Sequence, residues 1–231
     1  MTPPKQKKLK RPGWSIEKTV SGIVCGIDEV GRAPLAGPVV AACAYIPEEV
    51  RRKRIWSKVN DSKQLTREQR EEIYDGLTSL SCYAIGQAGV EEINSLNIYY
   101  ASLLAMQRAF EQMCNDFGIC PEIALIDGNA TPEITCKTQT VVKGDATSLS
   151  IAAASIIAKV WRDRLMSELH EEFPYYGWNT NCGYGTREHL EGIDQNGITP
   201  HHRSSFAPVR NYIEYGCVEI QQELDFGLAG C

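Results

Sequence analysis

The sequence has no pair of cysteines at C-x-x-C spacing, although it carries nine, at positions 25, 43, 82, 114, 120, 136, 182, 217 and 231. With only four histidines, no zinc-ligand pattern can be assembled. Scattered single cysteines in odd number argue against a disulfide framework and read as a reduced, cytoplasmic protein. Long apolar runs are also missing. The longest, Ala33 to Ile46, is broken by Pro34, Gly37 and Pro38 and is too short to span a bilayer. The basic opening MTPPKQKKLKRPGW is followed by no apolar segment of a secretory leader. Glycine and proline together number 30 of 231 residues, too few for a fibrous or disordered chain. An excess of positive charge is absent too. The net charge is −5, which argues weakly against a nucleic-acid partner without excluding a local basic groove.

What is present is an ordinary globular composition, 43% hydrophobic and 23% charged. A chain of 231 residues can bury a sizeable core in one α/β domain with an added terminal region. Residues 1–20 hold six basic residues against one acid, so the rest of the chain carries −10. They read as a flexible basic tail, either drawn to phosphate or merely solubilising. Residues 21–231 then form the folded domain.

Three apolar runs, Gly22 to Val30, Val39 to Ile46 and Cys82 to Val90, predict an antiparallel start. Between the second and third, Thr66 and Gln69 form a capping box that opens a helix with Ile73 and Leu77 on one face. Asn97 to Asp116 is helical, with Met106 and Met113 as core filler, and Gly118 stops it. Glu122 to Ile126 reads as a strand buried on both faces, and Ile134 to Val142 as a fifth strand, so this half has crossover topology. Thr147 to Phe173 is the strongest helical pattern, and its SLSIAAASIIAK half suits close approach to a neighbour. Thr186 to Asn196, closed by Gly197, is a further helix.

The candidate chemistry is acidic. Asp28 and Glu29 end an apolar strand. Neighbours in a regular strand point to opposite faces, so both reach one site only if the strand ends or bulges, which Gly31 would permit. They also read as a strand running out into solvent. Asp127 follows a buried strand, where open α/β sheets place ligands, yet Asp127-Gly128 is also a turn dipeptide. Asp145 precedes the long helix, as a ligand or as an acid set against the helix dipole. Four such acids suggest an oxygen-only site for Mg²⁺ or Mn²⁺, since carboxylates gathered without a cation are costly to bury. Two such metals about 4 Å apart can activate water and stabilise the leaving oxygen of a phosphodiester.

Beyond pattern, Gly26-Ile27-Asp28-Glu29-Val30-Gly31-Arg32-Ala33-Pro34-Leu35-Ala36-Gly37-Pro38-Val39-Val40 closely resembles the opening motif of type 2 ribonuclease H, the bacterial ribonuclease HII family. Asp61-Ser62-Lys63-Gln64-Leu65, Ile126-Asp127-Gly128, Lys143-Gly144-Asp145, the run Ser150 to Asp163, Gly183-Tyr184-Gly185-Thr186 and His202-Arg203-Ser204-Ser205-Phe206 resemble its later motifs, in order. The resemblance spans about residues 22–210. It implies a ribonuclease H-like α/β fold, a mixed central sheet flanked by helices, with a helical C-terminal region. It also implies endonucleolytic cleavage of RNA paired with or joined to DNA, using Mn²⁺ or Mg²⁺ and leaving a 5′-phosphate and a 3′-hydroxyl.

The family's acidic positions fall on Asp28, Glu29, Asp127 and Asp145 as catalytic residues and metal ligands. Its Gly-Arg-Gly segment, which contacts the ribonucleotide largely through its backbone, falls on Gly31, Arg32 and Ala33. If the third position needs positive φ, Ala33 costs on the order of 1 kcal/mol; if not, it is harmless. Tyr184 matches the tyrosine that packs on the neighbouring sugar, and Lys63 and Lys143 are phosphate contacts. His202 reads as structural or substrate-orienting, and Arg203 as a structural ion-pair partner. The expected partners are RNA–DNA hybrids or duplex DNA with embedded ribonucleotides, bound by a monomer with no membrane and no small-molecule cofactor. A non-catalytic hybrid-binding module and a related ribonuclease H with different junction specificity are the alternatives.

Overall fold

The computed structural model describes residues 11–218. Its elements run β1 (Val24–Val30), β2 (Val39–Tyr45), α1 (Arg67–Leu80), β3 (Cys82–Ala88), α2 (Val90–Phe117), β4 (Ile123–Asp127), β5 (Lys137–Val141), α3 (Leu149–Glu172), α4 (Trp178–Asn181), α5 (Arg187–Asn196) and α6 (Ala207–Tyr215). The sheet order is β3-β2-β1-β4-β5. The first three strands form the expected antiparallel meander, with Asp28 opposite Ala42 and Val40 opposite Gln87. β1, β4 and β5 are parallel, with Ile27 beside Ile126 and Asp127 beside Val141. β1 is therefore central, and the ends of β1 and β4 lie side by side.

Each sheet face is covered by one long helix. α2 packs Ala101, Ala105, Ala109, Phe110 and Met113 against Cys25, Ile27, Val39, Ala41, Cys43, Ala124 and Ile126. α3 covers the other face with Ala152, Ala153, Ala154, Ile156 and Ile157, joined there by Ile73 and Leu77 of α1. The small residues of α3 allow the close approach expected of them. Its backbone at Ser150 and Ile151 passes directly over Gly26, where any Cβ would overlap it. The Thr66–Gln69 capping box forms in full, Gln69 Oε1 accepting from Thr66 N at 2.9 Å.

Two expectations change. The third strand ends at Ala88, because Gly89 caps α2 seven residues before the expected start: its N–H donates to Glu92 Oε2 at 2.9 Å. Within α2, Asn97 takes φ 66° and restarts the helix, its Oδ1 accepting from Tyr99 N at 2.9 Å. The expected Asn97–Asp116 helix is the segment after that break.

The expected basic tail is packed over residues 11–20. Gly13 exchanges backbone hydrogen bonds with Thr147 and Leu149, and Trp14 meets Trp56 edge-on at 5.5 Å. Glu17 is buried, accepting from Ser148 Oγ at 2.6 Å and Ser150 N at 3.1 Å at the start of α3. A carboxylate at a helix N-terminus is favourable, and here it ties the N-terminal segment down. Residues 1–10 of that tail, and 219–231 of the C-terminal region, lie outside the described residues. No described helix is long and apolar enough to cross a membrane.

Candidate active site

Strand alternation sorts the acids. Val24 and Gly26 of β1 and Leu125 of β4 face α3, so Asp28 and Asp127, two residues further along each strand, leave the same face beside one another. β1 stays paired through Val30 opposite Val40, so it neither ends nor bulges at the acids. Glu29 consequently leaves the α2 face, and its carboxylate pairs with Arg32 at 3.2 Å. Asp145 arrives in a short 3-10 turn (Gly144–Ala146) ahead of α3. Asp127 Oδ1 accepts from Gly144 N at 2.7 Å, which ties that turn to the end of β4.

Asp28 lies within electrostatic reach of the other three carboxylates. Asp28 is buried, and its carboxyl is raised well above the ordinary range, first by burial and then by Glu29, Asp127 and Asp145; the Ser155 hydroxyl opposes this. Burial also raises Glu29, with the Arg32 guanidinium pulling it down. Asp145 is raised by burial, then by Asp127 and Asp61, while Lys63 lowers it. Among the described residues no three His, Cys, Asp or Glu side chains form a ready-made ion cage. Their hydrogen bonds explain this: Asp28 accepts from Glu29 N at 2.8 Å, Asp127 from Gly144 N, and Glu29 holds Arg32. The donor set is all hard oxygen, and the mutual destabilisation is of the sign a divalent cation relieves. The residues therefore fit Mg²⁺ or Mn²⁺.

The remaining predicted substrate contacts lie in the loops that follow β1, β5 and α4 and in the turn that precedes α1. Gly31 has φ 90°, while Arg32 and Ala33 are exposed. Ala33 is not among the non-glycine residues of positive φ, which are Asn97, Lys143 and Cys182, so alanine is unstrained there. Lys63 faces the site through Asp145; exposed Lys143 sits in left-handed conformation immediately before Gly144. Exposed Tyr184 belongs to a turn stitched to the 31–37 loop by Leu35 N donating to Gly183 O at 2.7 Å. His202 is buried against His189 and Thr199. Arg203 is a correction: among the described residues it makes no ion pair, and it binds backbone carbonyls instead.

Sequence reasoning missed Ser155, Asp61 and Arg162. Ser155 meets Ser62 at 2.9 Å and acts on Asp28. Asp61 accepts from Lys63 N at 2.9 Å and adds a fifth charge near Asp145. The signals were a serine within the alanine-rich first half of α3 and an aspartate at an N-cap.

A sequence profile described as ribonuclease HII matches residues 25–209, most of the chain and all four candidate acids. The chain belongs to the ribonuclease HII family. Its activity is that of ribonuclease HII, an endonucleolytic hydrolase of the ribonuclease H group. A ribonuclease HII of Wolbachia pipientis (strain wPip) is 48% identical over 202 residues, 87% of this chain and 99% of that protein. Another, from Macrococcus caseolyticus, is 52% identical over 193 residues, 83% and 69% respectively. Among solved structures, ribonuclease H2 from Pyrococcus horikoshii superposes with a TM-score of 0.65 at 27% identity, covering 84% of this chain and 98% of that one. Bst-RNase HIII, solved in complex with Mn²⁺, shares the fold with a TM-score of 0.71 at 20% identity, covering 86% and 71%. The ribonuclease HII profile thus ends near the start of α6, so the family region takes in both the strand-end acids and the Tyr184 turn.

Proposed function

We propose that the chain cuts the RNA strand of RNA–DNA hybrids, and duplex DNA on the 5′ side of an embedded ribonucleotide, leaving a 5′-phosphate and a 3′-hydroxyl. Asp28, Glu29, Asp127 and Asp145 are its catalytic residues and would hold Mn²⁺ or Mg²⁺. The carrying observation is that Asp28 and Asp127 leave the same face at the adjacent ends of β1 and β4, with Asp145 in the turn before α3, close enough that their charges, together with that of Glu29, add to burial in raising Asp28. When bound, the divalent ion supplies charge neutralisation at the scissile phosphate and a more acidic water.

The chain's own residues do the rest. Ser155 and the Gly144 amide orient Asp28 and Asp127. Gly31, Arg32 and Ala33 present backbone donors to the ribonucleotide, and the Tyr184 ring packs on the adjoining sugar. A 2′-hydroxyl is what separates RNA from DNA at such a contact. Lys63 and Lys143 sit beside Asp145 and offset phosphate charge. The eight described cysteines are free thiols, which supports a reducing, cytoplasmic setting, and we expect a monomer.

The test is a labelled DNA duplex with one ribonucleotide, run beside an RNA–DNA hybrid, with Mn²⁺ or Mg²⁺, with EDTA, and with Asp28→Asn. A metal-dependent cut 5′ of the ribonucleotide, lost in the variant, is the expected result. Cutting of the hybrid alone would overturn the junction reading. Binding without cutting would turn the assignment to a non-catalytic module.

A further inference from the structure

Two arginines, Arg162 of α3 and Arg203, are fully buried, and neither forms an ion pair with a described carboxylate. Each guanidinium spends its donors on three backbone carbonyls. Arg203 donates from Nε to Gly37 O at 2.9 Å, from Nη1 to Arg32 O at 3.1 Å and from Nη2 to Gly31 O at 2.6 Å. Arg162 donates from Nε to Pro38 O at 2.9 Å, from Nη1 to Cys182 O at 2.9 Å and from Nη2 to Ala36 O at 3.0 Å. Together they hold the 31–38 loop from beneath and join it to the Tyr184 turn. Gly31 leaves the room they need, since a Cβ there would overlap Arg162 Nε.

Burying two cations without counter-ions is costly, and neutral side chains hold loops at lower cost. The geometry gives the cations a use. A trans peptide is planar, with its N–H antiparallel to its C=O. Because the Gly31 and Arg32 carbonyls are turned inward onto Arg203, the N–H groups of Arg32 and Ala33 are turned outward. Both belong to exposed residues, and neither N–H has a hydrogen-bond partner among the described residues. Two consecutive outward amides can bind an anion, here with the buried Arg203 guanidinium behind them.

We propose that Arg203, supported by Arg162, is a positioning residue for substrate. It aims the Arg32 and Ala33 amides at a backbone phosphate oxygen of the nucleic acid, and its charge strengthens that contact. The missing counter-ion is the substrate's own phosphate. This rests on the reading of residues 31–33 as a substrate-contacting segment.

The experiment is steady-state cleavage of the single-ribonucleotide duplex by wild type, Arg203→Lys and Arg203→Gln, each below its own unfolding temperature. Lysine keeps the charge but cannot span three carbonyls. Arg203→Lys is expected to raise KM about tenfold with kcat within about threefold, and Arg203→Gln to raise KM further. A merely structural arginine would lower the active fraction, and so apparent kcat, at constant KM. A folded Arg203→Lys with wild-type KM, or with its loss confined to kcat, overturns the proposal. Amide exchange of wild type tests it even if neither variant folds. The Arg32 and Ala33 amides are expected to exchange fast in the free protein, and slow exchange at either overturns the inference. Wild type that cuts neither substrate would instead remove the functional reading on which it stands.

Discussion

The Nε2 atoms of His189 and His202 lie 3.1 Å apart in the interior, and their surroundings fix both tautomers. Thr199 N donates to His202 Nδ1 at 2.9 Å, so neutral His202 carries its proton on Nε2 and donates it to His189. His189 Nε2 also accepts from Trp178 Nε1 at 3.1 Å, and its Nδ1–H then serves the Tyr184 carbonyl at 2.9 Å. An added proton on His202 Nδ1 would face a donor. Burial, then the His189 ring, hold His202 down to about 3, and burial lowers His189.

The acid response follows from the sign of these shifts. Between the unfolded value of 6.5 and about 3, the unfolded chain binds the proton that folded His202 refuses. Stability is complete above that window and falls as pH drops through it, on the order of 1.4 kcal/mol per pH unit for each such histidine. Urea midpoints measured from pH 7 to pH 5 are expected to fall steadily, with a shallower slope in His202→Gln. Equal slopes in both proteins would remove the histidine pair as the cause.

Glu17 predicts where the chain tolerates truncation. Its carboxylate serves two donors at the start of α3, so Glu17→Ala is expected to cost roughly 2 kcal/mol, the scale of hydrogen bonds to a buried charge. Removing residues 1–20 should lower the thermal midpoint by more than Glu17→Ala does, because Gly13 and Trp14 are lost as well. Calorimetry of wild type and the two variants checks this, and a truncation that melts with wild type would refute it.

That segment also marks the limit of what the sequence makes legible. Short-range rules found the Thr66 capping box, the Gly118 stop and the helix capped by Thr186, because each signal lies within a few residues. Asp28, Glu29 and Asp127 were conspicuous as ionisable residues ending apolar runs, and Asp145 as an acid just ahead of the strongest helical pattern. Glu17, Arg162 and Arg203 were not, because their partners lie 131, 124 and 172 residues away in sequence and nothing near them announces it. Asn97 was read as a helix start, which it is; the turn before it was lost because Cys82 to Val90 reads as one continuous strand.

The backbone at Ala33 bears on junction reading. Its φ is not positive and its side chain is exposed, so it neither strains the loop nor fills a space the loop needs. Ala33→Gly should therefore leave KM for the single-ribonucleotide duplex within about twofold while lowering stability by about 0.5–1 kcal/mol, since glycine frees the unfolded chain. A markedly lower KM in the glycine variant would mean that the alanine holds the amides off their target.

Asp28 sets activity against stability. Its carboxyl is raised by burial and by three acidic neighbours, so the folded protein keeps that proton more tightly than the unfolded chain does. The sign is the reverse of the histidine case: stability falls as pH rises from 3.8 through the folded value, and at neutral pH the charged cluster is a standing cost. Asp28→Asn removes one of the repelling charges. In EDTA the variant should melt a few degrees above wild type, about 2–4 °C for each kcal/mol recovered in a chain of this size. Added Mn²⁺ or Mg²⁺ should raise the wild-type midpoint with concentration, because an ion that binds only the folded state stabilises it by mass action. The same titration should move Asp28→Asn much less, and cleavage by it should be lost. Proton and metal compete for the same oxygens, so the wild-type metal response should weaken as pH is lowered. A wild type indifferent to the ion, or an asparagine variant less stable than wild type in EDTA, would mean that these carboxylates are held apart too well to share a cation.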